Sequence, residues 1–331
     1  MKRRAFITLL GGAAAALPLA ARAQQPTGQR RVGVLLVFRE GNPAAQAQLS
    51  ALREALTKLG WTDDKNIKFE YRWVGNDTSF IQRGAQELVA LHPDLIISAA
   101  SSPGTAALRQ QTRTIPILFI NIVDPVGQGF VTSLARPGGN VTGFVNLDTS
   151  MAGKWLELLK QVMPRVRRVV IPFNPATAPY AELYLNYFKS NAEPLGAEII
   201  AASVHDMAGF ESLAAAQSGE PSTGLIPVPS TFIQANHAEI AAIVARYRLT
   251  TISFNRVFAE AGGLLSYGND IIDNYRRAAV YVDRILKGEK PSELPIQFPV
   301  KFELVINLRT AKALGLEIPP GVLAIADEVI D

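Results

Sequence analysis

The sequence predicts an α/β protein built as two doubly wound parallel-sheet lobes, on three observations. Short apolar runs alternate with helical stretches along most of the chain. The alternation starts afresh after residue 150, and 331 residues suffice for two cores of ordinary size. Strands spaced by helices of this length imply right-handed parallel crossovers, and so sheets covered on both faces.

The elements follow in order. Val32 to Val37 is an apolar run of buried-strand type, and Asn42-Pro43 then opens a helix with Leu49, Leu52, Leu56 and Leu59 recurring at three and four residues. Ile67, Phe69, Tyr71 and Trp73 alternate with charged residues, as in a half-buried strand, and Ser79 with Gln82 reads as a capping box. Leu95 to Ile97 leads through Ser101, Ser102 and Pro103 into a helix, and Ile115 to Ile120 and Val141 to Val145 are further strands. Past residue 150 come a helix at Trp155 to Met163, a strand at Val169 to Phe173 and a helix at Tyr180 to Asn191. Ile199 to Ala202, Leu225 to Val228 and Thr251 to Phe254 are strands, with helices at Phe210 to Ala216 and Ala235 to Arg246 between them. Two such sheets facing each other enclose a cleft at the carboxyl ends of their strands, and that cleft is the expected site.

Residues 1–23 have the form of an export signal. Lys2, Arg3 and Arg4 precede a small and apolar run from Leu9 to Ala21, and Ala21-Arg22-Ala23 offers the small-x-small cleavage pattern. Arg3-Arg4-Ala5-Phe6-Ile7 fits a twin-arginine signal as well as a general secretory one; either route ends outside the cytoplasm. The run is short for a bilayer span of ~20 residues, and no cysteine is present to carry a lipid, so the expectation is a soluble periplasmic protein without membrane insertion once the signal is removed. Of the 33 basic residues four lie in this segment and none of the 29 acids does, which leaves 29 of each in the mature chain. The isoelectric point near 9.3 therefore belongs to the precursor, and the balance gives no support to a nucleic-acid partner. Zero cysteines exclude disulfides and thiol chemistry, and His92, His205 and His237 have no metal-ligand spacing. No cofactor and no metal are expected.

Several blocks also carry a resemblance. Asp124-Pro125-Val126-Gly127 with Leu134 to Gly143, then Glu260 to Gly268, Tyr281 to Gly288, Lys301 to Leu308 and Leu314 to Leu316, are similar to the ABC-transporter substrate-binding family that includes streptococcal tryptophan- and tyrosine-binding lipoproteins. The resemblance runs over essentially the whole mature chain. It implies a type I periplasmic-binding-protein fold, two lobes joined by three crossing segments, and delivery of a small solute to an ABC permease in the inner membrane by a monomeric receptor. On that basis Val141 to Val145, Gly263 to Gly268 and Pro295 to Val300 are the crossings; residues 27–145 with 262–292 form the first lobe, and 146–261 with 293–331 the second. Arg136-Pro137-Gly138-Gly139-Asn140 reads as a tight turn feeding the first crossing rather than a phosphate cradle.

The strand-end rule then supplies the candidates. In the first lobe Ser98, Ser101, Ser102 and Thr105 lie where a strand passes into a helix, suited to a carboxylate or to capping their own helix. Asn121 and Asp124 follow the next strand, where Asp124-Pro125 equally suits a turn; Glu40 to Asn42 are weaker candidates because Asn42 reads as a cap. In the second lobe the candidates are Phe173 and Asn174, then Pro229, Ser230 and Thr231, then Phe254, Asn255 and Arg256. Arg256 can meet an anionic ligand or an acid of its own lobe. Asn146 and Tyr267, at the crossings, can touch ligand from the hinge side, with packing the other reading of Tyr267.

Many relatives carry an acid where this chain has Val228-Pro229-Ser230, and burying an ammonium without a counter-charge costs several kcal/mol. The expected ligand is therefore a neutral or carboxylate-bearing small organic solute, aromatic ones included, with an amino acid as the alternative. An exported hydrolase is the rival class, but the chain has no Gly-x-Ser-x-Gly elbow, no His-Glu-x-x-His helix and no thiol, and His205-Asp206 is its one adjacent pair of catalytic type. The expectation is a protein that is not an enzyme. A receptor feeding a sensor kinase or chemoreceptor would use the same cleft, and a repressor is disfavoured because no helix-turn-helix precedes the fold.

Overall fold

The computed structural model describes residues 28–75, 77–99 and 101–331, so the export-signal expectation lies outside the described residues. Two sheets organise the chain. The first has five parallel strands in the order β2-β1-β3-β4-β5: β1 Arg30–Leu36, β2 Ile67–Trp73, β3 Leu95–Ala99, β4 Ile117–Ile122 and β5 Val141–Val145. Its central strands are apolar on both sides because both faces are covered. Val32, Val34 and Leu36 pack with helices α1 (Pro43–Lys58) and α10 (Ile271–Leu286), whereas Leu35 packs on the other face with α2 (Thr78–Ala90) and α3 (Ser101–Gln111). The edge strand β2 keeps its alternation, and Phe69, Tyr71 and Trp73 stack along one side with centroids 6.0 and 6.2 Å apart.

Helix starts follow local chemistry. Asn42 caps α1 through Ala45 N–H (3.1 Å) with Pro43 in the first turn, as its sequence predicts. The capping box at Ser79 does not form. Asp77, extended at φ −80°, ψ 124°, caps α2 instead, accepting from Ser79 N–H (2.8 Å) and from the Ser79 hydroxyl (2.6 Å). An aspartate directly before the helix reaches its orphan amides better than a serine already inside it.

The second sheet has seven strands in the order β12-β11-β10-β9-β8-β6-β7: β6 Arg168–Phe173, β7 Glu198–Ser203, β8 Thr223–Leu225, β9 Thr250–Ser253, β10 Leu265–Asn269, β11 Phe302–Asn307 and β12 Glu328–Ile330. All its pairings are parallel except β10 with β11. Helices α4 (Met151–Val162), α5 (Ala181–Ala192), α6 (Met207–Gln217), α7 (Thr231–Ala235), α8 (His237–Arg246), α9 (Arg256–Glu260), α11 (Leu308–Leu314) and α12 (Pro320–Ala324) belong to this lobe. One continuous core surrounds it, with Trp155 and Tyr184 stacked at 5.9 Å and the Trp155 indole N–H donating to Tyr267 O (2.7 Å), which ties α4 to β10. The helix expected over 235–246 forms as α8, and a short helix α7 that the sequence did not predict precedes it, separated by Asn236.

The chain passes between lobes at Asn146, at Asn269–Asp270 and over 297–301. Two boundary expectations need correction. β10 pairs inside the seven-stranded sheet, so 262–269 belongs with the second lobe and only α10 returns to the first, where it lies against α1. Conversely Leu294 and Ile296 are buried in the cores of the first lobe, and Gln297 joins the edge of β5 through Gln297 N–H to Gly143 O (3.0 Å) and Val145 N–H to Gln297 O (2.8 Å). Tight backbone contact demands glycine at two crossing-strand positions. A Cβ at Gly143 would meet Phe119 O at 2.1 Å, and one at Gly268 would meet Phe254 O at 1.8 Å. The turn before β5 forms as its sequence predicts, with Gly138 at φ +83°.

Candidate ligand site between the lobes

A cavity of about 30 Å³, room for a water molecule or two, lies between the lobes where strands of both sheets end. The first lobe supplies Val37 and Phe38 after β1, Gln48 from α1, Ala99 and Ser102 at the β3–α3 junction, Ile120 and Asn121 at the end of β4, and Tyr275 from α10. The second supplies Tyr180 before α5 and Ser230, Thr231 and Gln234 at α7; Asn146 enters from the first crossing. Among the described residues none of the lining side chains is ionised at neutral pH: burial pushes the Tyr180 and Tyr275 phenols up, away from deprotonation.

The polar groups are held from behind. Asn121 sits at φ +67°, a left-handed conformation that asparagine tolerates, and its Oδ1 accepts from Asn274 Nδ2 (3.0 Å), which also donates to Val145 O (3.1 Å). The Asn121 amide N–H groups are then left for the cavity. Tyr180 donates to Pro229 O (2.8 Å), fixing the loop that carries Ser230 and Thr231. Asn146 is anchored through its backbone N–H to Ile122 O (2.9 Å), while its buried Oδ1 has no partner; Gln48 Oε1 is likewise without one. Unpaired buried amide oxygens cost about 1–3 kcal/mol each, so both favour a ligand that donates to them.

The structure brings together five of the sequence-derived candidates: Ser102, Asn121, Asn146, Ser230 and Thr231 all line this cavity. The others are engaged elsewhere. Ser98 and Thr105, both wholly buried, hydrogen-bond each other (2.8 Å) beneath the loop. The side chain of Ser101 lies outside the described residues. Asp124, at φ +45°, accepts from Gly127 N–H (2.9 Å), so the turn reading holds. Asn174 likewise closes its own loop, donating to His205 O (3.0 Å) and accepting from Ala176 N–H (2.9 Å). Phe173 and Phe254 pack in the core of the second lobe, and Pro229 contributes its carbonyl to Tyr180. Tyr267 stacks on Phe302 at 6.2 Å, the packing reading.

Asn255 caps α9 through Val257 N–H (2.9 Å). Arg256 is taken by three acids of its own lobe, Glu260 (2.8 Å), Glu303 (2.9 Å) and Glu328 (2.5 Å), whose hydrogen bonds and charges raise its pKa further. Its charge is thus met within its own lobe, and it is not among the residues that line the inner cavity. Gln48, Tyr180, Gln234 and Tyr275 are the polar lining residues that sequence reasoning missed. Gln48 and Gln234 carry a signal in hindsight: each is a polar residue beside buried neighbours, Leu49 and Ile233, on a helix near a strand end.

Among the described residues no group of His, Asp and Glu has metal-site geometry, and no helix is long and apolar enough to cross a membrane. Known proteins share this architecture. A conserved domain protein of Vibrio cholerae O1 biovar El Tor superposes with a TM-score of 0.83 at 28% identity, covering 91% of this chain and 99% of that one. The ABC domain of Streptococcus pneumoniae in complex with L-Trp also gives 0.83, at 24% identity over 92% of this chain and all of that one. In sequence, the tyrosine-binding protein of Clostridioides difficile is 23% identical over 289 residues, 87% of this chain and 82% of its own length. The fold is thus that of the type I periplasmic binding proteins. The model of the family described as ABC transporter substrate binding protein matches residues 31–330, so this chain belongs to the ABC transporter substrate-binding proteins.

Proposed function

We propose that the protein is the periplasmic component of an ABC importer that captures a small organic solute by closing its lobes around it, then presents it to an inner-membrane permease. The observation that carries this reading is a cavity lined from both lobes by polar, un-ionised side chains. Contacts from Asn121 on one lobe and Thr231 on the other exist together only when the lobes are close. A solute therefore shifts the population toward closure by the difference in its affinity for the two forms. Hydroxyls of Ser102 and Thr231 and the amide of Asn121 can donate to a carboxylate or carbonyl, which suits a neutral or carboxylate-bearing solute whose polar end enters the small cavity and whose body, aromatic ones included, lies against Phe38 where the cleft widens. Calorimetry with such solutes, paired with small-angle scattering, tests it: saturation should compact the profile, and an unchanged profile would sink the closure mechanism.

An amino acid is the second reading, favoured by relatives named for tyrosine or solved with L-Trp. Against it stands the lack of a carboxylate among the residues lining the inner cavity to meet the ammonium. Tight binding of L-tyrosine or L-tryptophan, with no heat from the corresponding aromatic acids, would decide for it.

A further inference from the structure

We infer that the cleft has a second, outer chamber that receives a hydrogen-bond-donating arm of the solute whose polar head group alone reaches the inner cavity. The inference rests on the reading of the cleft as a solute site and extends it to the shape and chemistry of the ligand.

The outer chamber encloses about 770 Å³, against about 30 Å³ for the inner one. Phe38, Gln48 and Gln234 line both, so the two spaces adjoin. Its walls again come from both lobes: the first turns of α1 and α10 on one side, α7, α8 and α9 on the other. Ala44 and Ala47 from the first lobe and Ala235 and Ala238 from the second are among its lining residues, small side chains that leave the space open.

Charge is present here but engaged. Arg256 is held by its three acids, and Lys301 by Asp270 at 2.9 Å. The groups left without partners are neutral. His237, 5% exposed, has an unpartnered Nε2; Asn269, 4% exposed, has neither side-chain atom paired; Gln48 Oε1 is unpaired at the junction of the two chambers. Burial lowers the His237 pKa to about 4, against a backbone hydrogen bond to Gln234 that favours the protonated ring. Since Nε2 is free, the nitrogen engaged with Gln234 is Nδ1, and the neutral ring offers Nε2 as an acceptor only. Amides can turn to present either end, but this imidazole can only accept. A solute arm with N–H or O–H groups would satisfy His237 and Gln48 together; an acceptor-only arm would leave them orphaned.

The test uses matched probes on the mature protein: benzoate, benzamide and L-phenylalanine as parent heads, of which only the carboxylate or amide group enters the inner cavity, each with a 4-ureido counterpart carrying N–H donors and a 4-acetyl counterpart carrying none. Calorimetry should show the ureido member of the best-binding head about tenfold tighter than the head itself and than its acetyl analogue, the gain of one satisfied buried acceptor. Ala238→Trp, on an exposed helical position, should fill the chamber and abolish that gain while leaving the compact head unaffected; Ala242→Trp, further along α8 and outside the chamber, should change neither. His237→Leu should remove most of the gain with the head still bound. Equal affinity of ureido and acetyl probes, or a ureido gain that survives Ala238→Trp, overturns the inference while leaving the receptor reading intact. No heat from any probe, with a scattering profile that none of them alters, overturns the receptor reading and this inference with it.

Discussion

Two polar regions of the same cleft behave in opposite ways. Around Arg256 the side chains are ionised and every charge has a partner within 2.9 Å, whereas around Asn146 they are neutral and two amide oxygens have none. The first region looks the more like a binding site in a sequence, because a lone arginine after a strand suggests an anion. Physically it is the less available of the two. A new ligand there would have to displace existing ion pairs, while at Asn146 and Gln48 it would supply bonds that the fold leaves unmade. Availability, more than polarity, separates the two.

Four measurements put that contrast to the test. The largest effect is expected at Gly268, on the strand that runs between the two regions: a methyl group would press on Phe254 O, and Gly268→Ala should lower stability by about 3 kcal/mol or more in denaturant titrations. A loss under about 0.5 kcal/mol would mean that the crossing strand yields easily.

His237 comes next. Its pKa falls from 6.5 in the unfolded chain to about 4 in the folded one, so the unfolded state binds more protons between these values. Its contribution is therefore complete above pH 6.5 and is lost as pH falls toward 4, by about 3 kcal/mol in total. Urea midpoints across that window should drop in the wild type and flatten in His237→Leu; parallel curves would show that other groups carry the acid sensitivity.

At the inner cavity, Asn146→Ala should weaken solute binding about tenfold with stability almost unmoved, since no intramolecular partner of its Oδ1 is lost. At the charged region, Arg256→Ala should do the reverse. Its side chain is 38% exposed, so the loss is discounted to about 1 kcal/mol of stability, and affinity for a compact solute should not change. A collapse of binding at unchanged stability in Arg256→Ala would invert the comparison.

The fold was legible where one physical rule dominates. β2 has the expected bounds because alternation along a half-buried strand is unambiguous, and α1 begins where Asn42-Pro43 places it because cap and proline agree. The lobe boundaries were less so. The resemblance makes Gly263 to Gly268 a crossing, yet Leu265–Asn269 is a sheet strand whose Gly268 is required by close backbone approach. For the site, the strand-end rule located loops that line the interlobe cavity but could not say which hydroxyls and amides were already engaged: Ser98 with Thr105, or Asn174 with its own turn, depends on distances that sequence does not carry. Gln48 and Tyr275 escaped for a related reason, since a helix that packs a core gives no sign that one of its turns faces a gap.

The pairing of Gln297 with β5 has a practical consequence. Two of the three strands of chain that join the lobes are laced side by side by main-chain bonds, so a cut in one of them does not free the halves from each other. Val300, 72% exposed just past that lacing, is accordingly a place where new chain ends could be opened, by nicking or by circular permutation, with both halves still in register.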